Sequence, residues 1–315
     1  MKKPLVIITG PTAVGKTQIS IKLAKAISGE IVSADSMQVY RYMDIGTAKI
    51  NKGQTDGIKH YLIDILDPQE EFNVVNFKSY AKAAIKEIYS KGKIPIIVGG
   101  TGFYIQALLY DIDFKETKEN YPYREKLEAI AKEKGDNYLH SKLEEVDSES
   151  AIKIHPNNIK KVIRALEYYK ETGEKISEHN KKQSKKESPY NFSYIVLTDE
   201  REHLYERINA RVDGMIEKGL VGEVQELLSR GCKKNMISMQ GLGYKEIISY
   251  IEGESSLEDS IYRLKRDTRR FAKRQLTWFK REKEVTWINK NKLQYDNDLI
   301  LNRLIEELRK KNIHG

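Results

Sequence analysis

The chain has 315 residues, 39% of them hydrophobic and 32% charged, and a formal net charge of +9. It is long enough for about two domains and apolar enough for a buried core, but no run approaches the ~18 apolar residues of a membrane span. A single cysteine, Cys232, excludes an internal disulfide and a cysteine-rich zinc site, and the positive excess points to a polyanionic partner.

Leu5-Val6-Ile7-Ile8-Thr9 is a continuous apolar run, as expected for a strand buried on both faces of a parallel sheet. It meets a glycine-rich loop at once, so it reads as a strand and not a secretory signal, and a cytoplasmic address is expected. Beyond the loop, Ile19, Leu23 and Ile27 recur every four residues and predict a helix. Glu30–Ala34 reads as a second strand with Asp35 at its carboxyl end. Phe77, Ala81, Ala84, Ile85 and Ile88 mark another amphipathic helix, ended near Gly92, and Ile94–Val98 is a third strand running into glycines. Strand, loop and helix alternate, so the expected fold is α/β, a P-loop parallel-sheet core with helices on both faces.

From Lys115 the texture becomes rich in Lys and Glu at helical spacing, with Leu127, Ile130 and Ala131, then Ile159, Val162, Ile163 and Leu166, on apolar faces. This predicts an all-helical insertion over residues 115–193, dividing the core into 1–114 and 194–315. Tyr194–Leu197 resumes the strand pattern, and Leu204, Ile208, Val212, Met215 and Ile216 line one face of a long helix after it.

Gly10-Pro11-Thr12-Ala13-Val14-Gly15-Lys16-Thr17 fits G-x-x-x-x-G-K-[ST] between a strand and a helix, the context in which that pattern cradles phosphate. The glycines let backbone N–H groups point inward, and the helix N-terminus adds about half a positive charge. Lys16 is expected to neutralise the terminal phosphate and the Thr17 hydroxyl to hold Mg2+. The loop recognises a polyphosphate without saying which: ATP, another nucleotide and an allylic diphosphate share the handle. Asp35 stands where parallel sheets bind ligands. It has three readings: a metal-holding acid, a general base, or a cap for the next turn, with Asp64 a rival for the first. Val98-Gly99-Gly100-Thr101-Gly102 has the composition of a tight turn; beside the P-loop, Thr101 would donate to a phosphate or line a channel. On a helix, Arg270, Lys273, Arg274 and Arg281 share a face, with Phe271, Ala272, Leu276, Trp278 and Phe279 as apolar anchors on the other sides. So dense a run, nearly free of acids, suits a phosphate backbone.

Together these pieces resemble the bacterial tRNA dimethylallyltransferases, the tRNA isopentenyltransferase family that modifies the adenine on the 3′ side of the anticodon. The P-loop is followed by Asp35-Ser36-Met37-Gln38-Val39-Tyr40-Arg41, Gly46-Thr47-Ala48-Lys49, His60-Tyr61-Leu62-Ile63-Asp64 and Val98–Gly102. His155-Pro156-Asn157-Asn158 and Arg164-Ala165-Leu166-Glu167 lie in the insertion, and Gln240-Gly241-Leu242-Gly243-Tyr244-Lys245 and Ala272–Phe279 near the end. The match covers nearly the whole chain.

The resemblance implies a tRNA partner gripped at its anticodon stem-loop by the insertion, dimethylallyl diphosphate as donor in the P-loop, Mg2+, and a monomer. It assigns the general base to Asp35, with Lys16 and Thr101 also catalytic. RNA contacts are implied at Asp35, Ser36, Met37, Gln38, Thr101, Arg124, Lys161, Arg164, Gln240, Gly243, Tyr244, Lys245, Arg270, Lys273 and Arg274. Where the family commonly has Arg this chain has Lys161, which keeps the charge but loses the planar fork. Three alternatives differ in what they leave unused. A P-loop kinase of a small metabolite or nucleoside leaves the basic helix idle; an enzyme prenylating free adenine nucleotides leaves both that helix and the insertion idle. A non-catalytic RNA-binding module gives Asp35 no chemistry.

Overall fold

The computed structural model describes residues 2–114 and 121–314, so the expected start of the insertion at Lys115 lies outside the described residues. Six strands, β1 (Lys3–Thr9), β2 (Gly29–Ala34), β3 (His60–Tyr61), β4 (Ile94–Gly99), β5 (Tyr190–Thr198) and β6 (Val285–Asn289), pair in parallel in the order β3-β2-β4-β1-β5-β6. The helices in chain order are α1 (Lys16–Ala26), α2 (Val74–Ser90), α3 (Gly102–Leu109), α4 (Tyr121–Lys134), α5 (Asp136–Val146), α6 (Ser148–Lys153) and α7 (Ile159–Thr172). After them come α8 (Ile176–Ser184), α9 (Arg201–Glu217), α10 (Leu220–Ser229), α11 (Tyr244–Ile251), α12 (Leu257–Phe279) and α13 (Asn297–Lys310). The fold is mixed α/β, and no described helix is long and apolar enough to cross a membrane.

The chain divides into two compact units, Met1–Leu109 with Pro189–Gly315, and Tyr110–Ser188. The insertion therefore closes before the sequence pattern indicated. Residues 190–193 already pair with β1, Lys3 opposite Tyr190, although their mixed Tyr190-Asn191-Phe192-Ser193 pattern gave no strand signal.

In the first unit, Val6, Ile8, Ile96, Ile195 and Leu197 point to one face of the sheet, where they meet Ile19 and Leu23 of α1 and Ile300 and Leu304 of α13. The alternate residues Leu5, Ile7, Val32 and Ile97 are equally buried on the other face, beneath Phe77, Ala81 and Ile88 of α2. Two buried faces explain why these strands read as unbroken apolar runs. α2 starts where the Asn73 side chain accepts from the Val75 and Asn76 amides, satisfying two otherwise orphaned donors. The second unit packs Leu127, Leu139, Leu143, Val162, Ile163 and Leu166 into its own core. There the buried Asp147 carboxylate accepts from Ser150 and the Ser177 amide.

Candidate active site

Three neighbouring strands, β2, β4 and β1, end on the same side of the sheet, because all run parallel. Their next residues are Asp35, the Gly100–Thr101 pair and the glycine loop. Parallel sheets bind ligands at this edge. A cavity of about 350 Å³ opens there, lined among others by Thr12, Asp35, Thr101, Arg211, Lys245 and Arg274.

Gly10 takes φ 145°, and a Cβ there would lie 2.3 Å from the Leu197 carbonyl oxygen, so the first position of the loop admits only glycine. Lys16 turns back over the loop and donates to the Gly10 and Pro11 carbonyls, both at 2.9 Å. Not every loop amide is free for phosphate: Thr12 N–H is given to Gln275 Oε1 at 2.8 Å.

The loop is ringed by cations that the sequence did not connect to it. Arg211 Nη1 donates to Thr12 Oγ1 at 3.3 Å, and the buried Lys290 ammonium donates to the Val14 carbonyl at 3.2 Å. A Cβ on Gly15 would stand 2.9 Å from Lys290 Nζ and 3.1 Å from Arg207 Nη2. Burial, and after it the charge of Arg211, pull the Lys16 ammonium down to about 7, with Asp35 opposing. Burial and the neighbouring Arg207 lower Arg211 and Lys290 as well. Cations that depress one another around a ring of amides make a site that an anion of high charge would relieve. Arg207 and Arg211 stand four apart on α9, the spacing of one helix face, which was the available sequence signal. Lys290, just past β6, gave none.

Asp35 is held by its own turn. Its Oδ1 accepts from the Met37 amide at 2.9 Å and the Gln38 amide at 3.3 Å, and among the described residues Oδ2 accepts no hydrogen bond. One oxygen thus orients the carboxylate while the other is not engaged by the turn. Thr101 is fixed beside it, its amide donating to the Ala34 carbonyl at 3.2 Å. Asp64, the rival acid, is claimed by Lys49 at 2.6 Å and does not line the cavity. No group of three or more His, Cys, Asp or Glu side chains that could hold a metal occurs among the described residues. Thr17, the second residue of α1, is exposed beside the glycine loop.

The segment after Asp35 is clipped from below. Glu223 on α10 accepts from the amides of Asp44 (2.9 Å), Ile45 (2.7 Å) and Gly46 (3.0 Å) and from the Tyr244 phenol (2.7 Å). Glu223→Ala leaves these donors without their anion and should lower unfolding stability by about 3 kcal/mol in a denaturant titration, with Glu223→Gln costing less.

The residues expected at RNA fall into distinct groups. Arg270, Lys273 and Arg274 are exposed on α12, whose opposite face buries Leu264, Thr268, Ala272, Gln275 and Phe279; Arg281 lies past the helix end. Ser36, Met37, Gln240 and Lys245 line the cavity. Gln38 does not, because its amide is held between Ser33 and the Thr47 carbonyl. Gly243 and Tyr244 sit deeper, and Tyr244 also lines the cavity. Both are buried, the Tyr244 phenol is committed to Glu223, and a Cβ on Gly46 would meet the Tyr244 ring at 2.6 Å. In the second unit Lys161 and Arg164 are exposed on α7, whereas the Arg124 fork closes on the buried Glu167 through two bonds of 2.8 Å. Its planar donors are thereby engaged in tying α4 to α7.

Comparison with known proteins fits this geometry. The model of the IPP transferase family matches residues 38–282. The chain belongs to the IPP transferase family. It is similar to the tRNA dimethylallyltransferase of Lachnoclostridium phytofermentans, with 60% identity over 99% of both chains. Among solved structures it resembles the full-length tRNA isopentenylpyrophosphate transferase of Bacillus halodurans (44% identity, TM-score 0.71, covering 99% of this chain and 100% of that one). It also resembles a eukaryotic dimethylallyltransferase acting on tRNA (32% identity, TM-score 0.78, 91% and 74%). The family match begins after the P-loop and Asp35, but the Lachnoclostridium alignment spans nearly the whole chain, so it takes in that half of the site as well.

Proposed function

We propose that this protein transfers a dimethylallyl group from dimethylallyl diphosphate to N6 of the adenine on the 3′ side of the anticodon in tRNA, releasing diphosphate. The observation that carries the reading is the opening of a cation-ringed glycine loop and a free carboxylate oxygen of Asp35 onto one cavity. Adenine N6 is a poor nucleophile, because its lone pair is delocalised into the ring. As N6 attacks the allylic carbon, the C–O bond to the diphosphate breaks and the N6 proton passes to Asp35 Oδ2. Lys16, Arg211 and the remaining loop amides take up the charge that builds on the departing diphosphate. Thr101 lines the path between donor and base. Mg2+ held through the Thr17 hydroxyl would add further charge neutralisation to the leaving group.

A stacked adenine is out of reach, so the base is extruded into the cavity. Ser36, Met37, Gln240 and Lys245 are placed to surround it. Arg270, Lys273 and Arg274 meet the RNA backbone, and the second unit holds the anticodon stem with Lys161 and Arg164, the enzyme acting as a monomer. Arg270→Ala and Arg274→Ala should each weaken tRNA binding and flatten its dependence on log salt by roughly one unit. An unchanged slope would remove α12 from the interface.

The test is incubation with dimethylallyl diphosphate, Mg2+ and unmodified tRNA, followed by nucleoside mass analysis. A prenylated adenosine is expected. Release of ADP from ATP and a small acceptor, with the RNA unaltered, would overturn the reading.

A further inference from the structure

One side chain of α12 faces away from Arg270, Lys273 and Arg274. Gln275 is 6% exposed and reaches both glycine-rich loops. Its Oε1 accepts from the Thr12 amide at 2.8 Å, and its Nε2 donates to the Gly100 carbonyl at 3.0 Å. Thr12 belongs to the cradle that grips the diphosphate, and Gly100 immediately precedes Thr101. The fit is close: a Cβ on Gly100 would lie 2.2 Å from Gln275 Nε2, so this position is kept open for the amide.

The chemistry of the bridge is selective. Two backbone groups of opposite polarity must be met by one neutral side chain that both accepts and donates, as a primary amide does. An ionised carboxylate would still accept from Thr12. It would then set an anionic oxygen against the Gly100 carbonyl and add negative charge beside the donor.

We propose that Gln275 is a positioning residue for prenyl transfer. It fixes the separation of the donor loop from the Thr101 turn and locks both to the helix that carries the RNA-facing cations. This rests on the function proposed above, in which the glycine loop holds the allylic diphosphate. Gln275 lines the same cavity, but both ends of its amide are committed to protein backbone. It acts through the Thr12 amide and the Gly100 carbonyl, holding the leaving group and the base at one spacing.

Misplacing reacting groups by about 1 Å costs on the order of a hundredfold in rate. Gln275→Leu is therefore expected to lower kcat/KM for dimethylallyl diphosphate by about that factor while tRNA affinity stays within twofold of wild type, since the exposed cations remain. Gln275→Glu supplies a readout that a merely structural role would not move. Its carboxyl, once protonated, regains the donor to Gly100 and becomes isosteric with the native amide. Its deficit relative to wild type, taken at each pH between about 5.5 and 8, should shrink as pH falls. A Gln275→Leu enzyme with wild-type donor kcat/KM, or a Gln275→Glu deficit that does not vary with pH, would overturn the proposal. If Gln275→Leu does not fold, the Gln275→Glu comparison decides alone. Wild-type protein run beside the variants separates the two levels: no prenylated adenosine from wild type sinks the proposed function, whereas full activity in both variants sinks only the role of Gln275.

Discussion

Asp35→Asn will bind tRNA as tightly as wild type and transfer the prenyl group at least about a hundredfold more slowly, with ~10⁴-fold as the upper end for a lost general base. Asparagine is the sharper substitution, because its Oδ1 can still accept from the Met37 and Gln38 amides and so keeps the turn. What it removes is the capacity to take a proton at the second oxygen. Asp35→Ala removes both and should add a measurable loss of thermal stability to the same kinetic defect. Single-turnover transfer with saturating donor is the measurement. An Asp35→Asn rate within a few-fold of wild type would falsify the assignment of the base.

The second large effect concerns Lys16 and has a defined pH signature. Its ammonium sits at about 7 in the free protein because burial and Arg211 disfavour its charge. A diphosphate placed against it favours the charged form and raises that value, so donor binding takes up a proton wherever the free protein has lost it. Affinity should accordingly be full below about pH 7 and fall by up to tenfold per pH unit above it, until the raised value of the complex is reached. Lys16→Met should bind donor weakly and without this slope. Lys16→Arg, always charged, should restore binding that is flat in the same window. Calorimetric titration with dimethylallyl diphosphate at several pH values reads all three, and a flat wild-type profile would remove Lys16 from the phosphate contact.

The parts of the fold legible in the sequence are those whose signal is local. β1, β2, β4 and most of β5 are apolar runs buried on both faces, and the glycine loop is one contiguous octet between strand and helix. β3 has two residues and β6, at the sheet edge, buries only Ile288 of its five, so neither rises above its surroundings. The site was half legible. Lys16, Asp35 and Thr101 follow strands and could be aligned by topology. Arg207, Arg211, Gln275 and Lys290 reach the loop from about 190 to 280 residues away, a separation that no spacing rule spans. Gly243 and Tyr244 show a different limit. A motif marks residues that matter but does not say whether they face a ligand or, as with Tyr244 on Glu223, support a neighbour.

The strand order has a consequence for biosynthesis. β1 lies between β4 and β5, and residues 110–188 are translated between those two partners. At ~5–20 residues per second the ribosome takes roughly ten seconds to cover that stretch. Throughout it β1 has one ladder of backbone groups satisfied and the other bare, an edge of the kind that recruits foreign strands. The nascent chain should depend on chaperones in that interval, and the exposure of β1 should end when Tyr190–Thr198 emerges and covers it, the bare edge passing to β5 until Val285–Asn289 follows.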